Sequence, residues 1–322
     1  MKLRWHLLGL GILLGLGTAG FSFAAGIYYQ HEHATQRLQQ LIQQNPYAYY
    51  IRSKIYKVFA FFKTPDDEEN ANHRLGRIMK YGFPGLDDIR LYSDFVLSYD
   101  RRNRVAHWVC EHLQKKDLST TTHVGRAHAS FQPDLSVPSN FRSSLADYRR
   151  SGFNRGHLAA AGNHHSHQTH CNETFYLTNI APQIGKGFNS GAWNNLEIYV
   201  RDLTLRYGSV YVCTGPLYKP KQRCDGKLSV EYEMIGPNLV AVPTHFFKVI
   251  MVESKVPLGK PYMEGYVLPN ATIPDNLPLR SFLCDIREIE HYAGLKFFDG
   301  LRRSAIFGSN YPSESQVFRD FG

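Results

Sequence analysis

Short runs of apolar and β-branched residues recur at Phe95–Tyr99, Arg104–Cys110, Ser209–Thr214 and Leu239–Val252, separated by Gly, Pro and Asn. Runs of this length and composition predict strands. The tract from Asn189 to Tyr207 differs: it lacks Pro, has no Gly apart from Gly191, and places Trp193, Leu196 and Val200 at helical spacing. It predicts a helix. No internal repeat and no long low-complexity tract interrupts the pattern, so an α+β fold with a mostly antiparallel sheet is expected.

The first 78 residues read differently. Lys2, Arg4 and His6 precede the tract Leu7–Tyr29, 23 residues without a charged group, and the first acidic residue is Glu32. As a helix this tract approaches the roughly 20 residues needed to cross a bilayer. Ala24, Ala25 and Gly26 also suit a cleaved secretory signal, and a basic, acid-free leader suits mitochondrial import. An uncleaved membrane anchor is the preferred reading, because the apolar tract exceeds the roughly 7 to 15 residues of a signal core. The expected organisation is a leader over 1–30, a polar spacer over 31–78, a folded domain over 79–310 and a tail over 311–322.

Composition narrows the chemistry modestly. Lys plus Arg number 37 against 28 Asp plus Glu, a formal charge of +9 that attracts polyanions without specifying one. The five cysteines, Cys110, Cys171, Cys213, Cys224 and Cys284, show no CxxC pair and read as packed thiols, one disulfide remaining open. His164, His165, His167, His170 and Cys171 offer zinc-ligand chemistry, but such local richness reads first as a polar helix face. Trp108 and Trp193 read as core residues rather than base-stacking platforms. Asp147–Arg150 (DYRR) reads as a solvated basic turn or a nucleic-acid contact.

The segment SGFNRGH, Ser151 to His157, carries more. Gly156 immediately before His157 permits close ligand approach at a catalytic turn. Farther on, Asn189, Trp193, Glu197 and Arg201 follow at four-residue steps, so one helix would bring an amide, a carboxylate and a guanidinium onto one stripe. Taken alone, the stripe is better explained by a simple Glu197–Arg201 surface pair.

The combination resembles the DNA/RNA nonspecific nuclease family with the ββα-metal site, and within it the endonuclease G group. The resemblance runs through MKYGFPGLDDIRLYSDFVLSYD, HWVCEHL, DYRRSGFNRGHLAAAGNH, TFYLTNIAPQ, AWNNLE, VYVCTGPLY, AVPTHFFKV and IEHYAGLKFF, roughly residues 79 to 298. It implies a metal-dependent endonuclease acting on DNA and RNA, with His157 as general base and Asn189 as the ligand of Mg2+, or alternatively Mn2+. Glu197 and Arg201 fall on the family's helix carboxylate and phosphate-contacting arginine, and Arg126 lies near an upstream arginine facing the scissile phosphate. Arg155 is expected to be structural or DNA-facing. The resemblance also implies a homodimer in the mitochondrial intermembrane space, against a secreted alternative. Asn154 stands where the family usually has aspartate, which weakens the expected electrostatics and leaves open a membrane-tethered nucleic-acid-binding protein with faded catalysis.

Overall fold

The computed structural model describes residues 74–118, 124–255 and 261–301. Its centre is a seven-stranded sheet in the order β1-β2-β3-β6-β11-β12-β13. These strands are Ile89–Leu91, Phe95–Asp100, Val105–Leu113, Ser209–Leu217, His245–Glu253, Tyr262–Pro269 and Leu283–Cys284. Every neighbouring pair in it is antiparallel. Antiparallel sheets commonly leave one face to water, but β6 is buried along its whole length, so both faces are covered. The apolar run predicted over Leu239–Val252 is split around Pro243 into β10 (Val240–Ala241) and β11. Proline cannot donate to the ladder, which explains the break.

Alternation along the strands divides the core into two layers. Val96, Trp108, Cys110, Cys213, Phe247, Val249 and Met251 pack with helix α4 (Ile286–Ala293) and Phe297 on one side. Phe95, Leu97, Val109, Val212, Phe246 and Ile250 face the opposite layer, which holds Leu158, Ile180, Trp193, Leu196 and Val200. That second layer is built from the paired strands β4 (Asn154–His157) and β5 (Ile180–Gln183) and helix α3 (Asn194–Arg206). Two strands and a helix laid on the sheet are the ββα unit that carries the site. Trp108 and Trp193 are both buried core residues, as expected.

Two expectations change. The regular helix begins at Asn194, because Lys186, Gly187 and Gly191 in the preceding segment Gly185–Trp193 have non-helical backbone angles. Asn189 therefore shares no helical stripe with Glu197 and Arg201. Residues 74–78, placed by composition in the spacer, are helical, with Arg74 and Ile78 buried. All five cysteines are free, and four of them are buried. The tract Leu7–Tyr29 lies outside the described residues, among which no helix is long and apolar enough to cross a membrane.

Candidate active site

His157 ends β4 with its side chain almost wholly buried, 7% exposed, packed edge-on against Phe175 and tilted against Phe131. Among the described residues its Nε2 has no hydrogen-bond partner. Burial first, then the Arg126 guanidinium and His164, push its pKa down to about 3, so the ring is neutral throughout the physiological range. Gly156 matters for a reason the sequence did not show: a Cβ there would overlap the side chain of Gln183 on β5. The glycine lets the two strands pair closely beneath the histidine.

Arg126, in a short 3-10 turn at Arg126–His128, sits over the Phe175 ring that also packs His157. It also acts electrostatically on Glu197. Glu197 lies in the first turn of α3, where burial raises its carboxyl to about 7 against the opposing pull of Lys248, Arg201 and Arg126. No ion pair joins Glu197 to Arg201 among the described residues, so the simple surface pair is not formed. Arg201 instead donates from Nη1 to Asn163 Oδ1 at 3.2 Å.

Asn189 lies in the irregular segment before α3, where its backbone N–H donates to the Ile184 carbonyl at 3.0 Å. With Asn154 and Arg126 it lines a cleft of about 550 Å3 whose other walls include Arg149, Arg155, Phe131, Tyr148 and Phe153. Arg155 stacks over Phe131 at 4.4 Å. Asn154 turns toward Gly185, where a Cβ would meet its Nδ2 at 2.8 Å. Alternation along β4 puts it on the other face from His157, so residue 154 belongs with the Asn189 segment rather than with the histidine. The DYRR turn splits similarly: Asp147 is buried, accepting from the Ser144 backbone in a helix capping box, and Arg149 lines the cleft.

Sequence reasoning missed the charged groups beneath the site. His164 is completely buried, with Nδ1 2.7 Å from Asp94 Oδ2 and Nε2 3.0 Å from Glu111 Oε1. It does not lie on a polar helix face, and no cluster of metal-ligating side chains forms among the described residues. Burial opposes its charge, but the hydrogen bonds to both carboxylates outweigh it and hold the imidazole pKa up to about 9. Lys248 is buried on β11, bonded to Thr214 Oγ1 at 2.7 Å and set over the Trp193 ring. Single charges inside apolar strands, Glu111 in VCEHL and Lys248 in HFFKVIM, were the available signal.

These histidines dictate how stability varies with pH. His157 and His112, pushed down to about 3, and His245, pushed down to about 4, bind protons only when unfolded between those values and about 6.5. Stability is therefore lost as pH falls through that window. His164 acts oppositely: its contribution is complete below about 6.5 and is lost as pH rises toward about 9. Urea unfolding across pH 4 to 10 (about that range) should show a maximum near neutrality. His164→Gln should lower that maximum and flatten the alkaline side; an unchanged alkaline slope would contradict the assignment.

A profile of the DNA/RNA non-specific endonuclease family matches residues 75–304. The chain is 47% identical over 237 residues to "Endonuclease G, mitochondrial" of Caenorhabditis elegans, covering 74% of this chain and 76% of that protein. It is 48% identical over 222 residues to the Homo sapiens protein of the same name, covering 69% and 73%. The solved structure of an EndoG/EndoGI complex is similar at a TM-score of 0.71 and 54% identity, covering 76% of this chain and 96% of that one. With the ββα unit carrying His157 and the Asn189 cleft beside it, the chain belongs to the DNA/RNA non-specific endonuclease family, in its endonuclease G group.

Proposed function

We propose that this protein hydrolyses phosphodiester bonds in DNA and RNA with the help of Mg2+, for which Mn2+ can substitute, and leaves 5′-phosphate ends. The observation that carries this reading is the cleft itself. Three guanidiniums, Arg126, Arg149 and Arg155, alternate there with the rings of Phe131, Tyr148 and Phe153 next to Asn189. Cations suit the phosphates and rings suit the bases, with no donor pattern selecting one sequence.

The residues fit a hard divalent cation. The Asn189 and Glu197 side chains are only partly buried, and among the described residues His157 Nε2 has no hydrogen-bond partner. Asn189 would hold the metal through its amide oxygen. When bound, the ion stabilises charge developing on the phosphoryl and leaving oxygens. Glu197 accepts hydrogen bonds from the surrounding waters and keeps them oriented. His157 Nε2 takes the proton of the attacking water, and Arg126 and Arg201 neutralise charge on the phosphoryl oxygens. Asn154, facing the Asn189 segment, supplies an uncharged acceptor where the family usually has a carboxylate.

Relatives named as mitochondrial, together with the basic leader, support placement in mitochondria. The intermembrane space, anchored or released by cleavage after the apolar tract, and a homodimeric state complete the reading. The test is digestion of plasmid DNA and of RNA followed by mapping of the product ends. Both should be cut with 5′-phosphate and 3′-hydroxyl ends, and binding should weaken steeply with salt. Products ending in 5′-hydroxyls, or RNA left intact, would overturn this reading.

A further inference from the structure

The tripeptide Gly162–Asn163–His164 has no part in the chemistry above, yet all three residues lie on a path to Arg201. A Cβ on Gly162 would come 3.1 Å from Arg201 Nη1 and 3.5 Å from its Cζ, so the guanidinium rests against bare backbone. Asn163 uses both ends of its amide: Oδ1 accepts from Arg201 Nη1 at 3.2 Å, and Nδ2 donates to Glu111 Oε1 at 2.9 Å. His164 Nε2 shares that Glu111 oxygen at 3.0 Å, and its Nδ1 is 2.7 Å from Asp94 Oδ2. Asp94 is fixed in turn by Arg74 Nε at 2.6 Å.

We infer that residues 162–164 form a cradle that sets the position of the Arg201 guanidinium, with Gly162 and Asn163 as positioning residues and His164 as the pin beneath them. This rests on the reading of Arg201 as a phosphate contact. A buried ionic chain is weak evidence for stability, since apolar residues of similar volume often serve as well. What this chain does is terminate on a flexible arginine of α3, one turn beyond Glu197. An arginine side chain has many rotamers, and fixing it before substrate arrives removes that disorder from the reaction step. Glycine suits the position because a Cβ there would press on the guanidinium and push it aside by a few tenths of an ångström, and asparagine because one group must both accept from Arg201 and donate to Glu111. Aspartate at 163 could not donate to the carboxylate.

The experiment is a double-mutant cycle on the full chain with a short duplex oligonucleotide and saturating magnesium, reading kcat and KM separately. Asn163→Ala and Gly162→Ala should each lower kcat by about 10- to 100-fold, as loss of supporting contacts does at other sites, while KM moves little. In an Arg201→Ala background both losses should vanish, because nothing remains to be positioned. A purely structural role would instead give the same factor in both backgrounds, and that result overturns the cradle. Gly162→Ala leaves the Asn163, His164 and Glu111 groups in place, so it decides the matter alone should Asn163→Ala fail to fold. If Arg201→Ala is crippling while Gly162→Ala and Asn163→Ala are silent, only the cradle falls. A silent Arg201→Ala removes the phosphate role and the cradle together.

Discussion

His157→Ala should slow plasmid cleavage by about 10² to 10⁴-fold, the usual contribution of a positioned general base, while DNA affinity stays near that of the parent. The imidazole is buried and its Nε2 is free to accept a proton. A pKa near 3 would make it a feeble base if it stayed there, but one of the cations depressing it is Arg126. A phosphate bound at that guanidinium offsets its charge and relieves that part of the depression, while burial, the larger cause, keeps the ring neutral and able to accept a proton. Affinity should survive because the cleft cations, not His157, meet the phosphates. The check is single-turnover cleavage alongside filter binding in EDTA. A variant that cuts as fast as the parent would remove His157 from the reaction.

The geometry of β4 sets Asn154 apart from the histidine. A carboxylate at 154 would face Gly185 and the Asn189 segment, with His157 turned to the other side of β4. Its influence belongs with the waters around the metal more than with the histidine's titration.

Much of the architecture was legible because it depends on local pattern. Apolar and β-branched runs marked β2, β3, β6 and β11, and Trp193, Leu196 and Val200 marked the buried side of the helix around α3. The helix start was misread because spacing alone does not register that Gly191 leaves helical geometry, with φ −119° and ψ −111°. His157, Asn189, Glu197 and Arg201 were singled out as candidates through the family resemblance. Their neighbours were not, because Arg74, Asp94, Glu111 and His164 meet across 20 to 70 residues of chain, as in the Arg74–Asp94 and Asp94–His164 bonds. No periodicity encodes such pairings. The density of histidines after Asn163 was visible, but only the fold shows that His164 is a buried ion-pair partner while His167 caps helix α2 (Gln168–Thr174).

The central claim is that Asn189 holds a divalent cation needed for cleavage, with His157 acting beside it. The most direct test is the rate of supercoiled-plasmid nicking measured across a magnesium titration for the parent chain and for Asn189→Ala. The parent should saturate with magnesium and stop in excess EDTA. Asn189→Ala should need far more metal and remain at least about 10-fold slower at saturation, since the lost oxygen both binds and orients the ion. Cleavage that persists undiminished in EDTA, or a variant whose magnesium curve overlays that of the parent, would contradict the account.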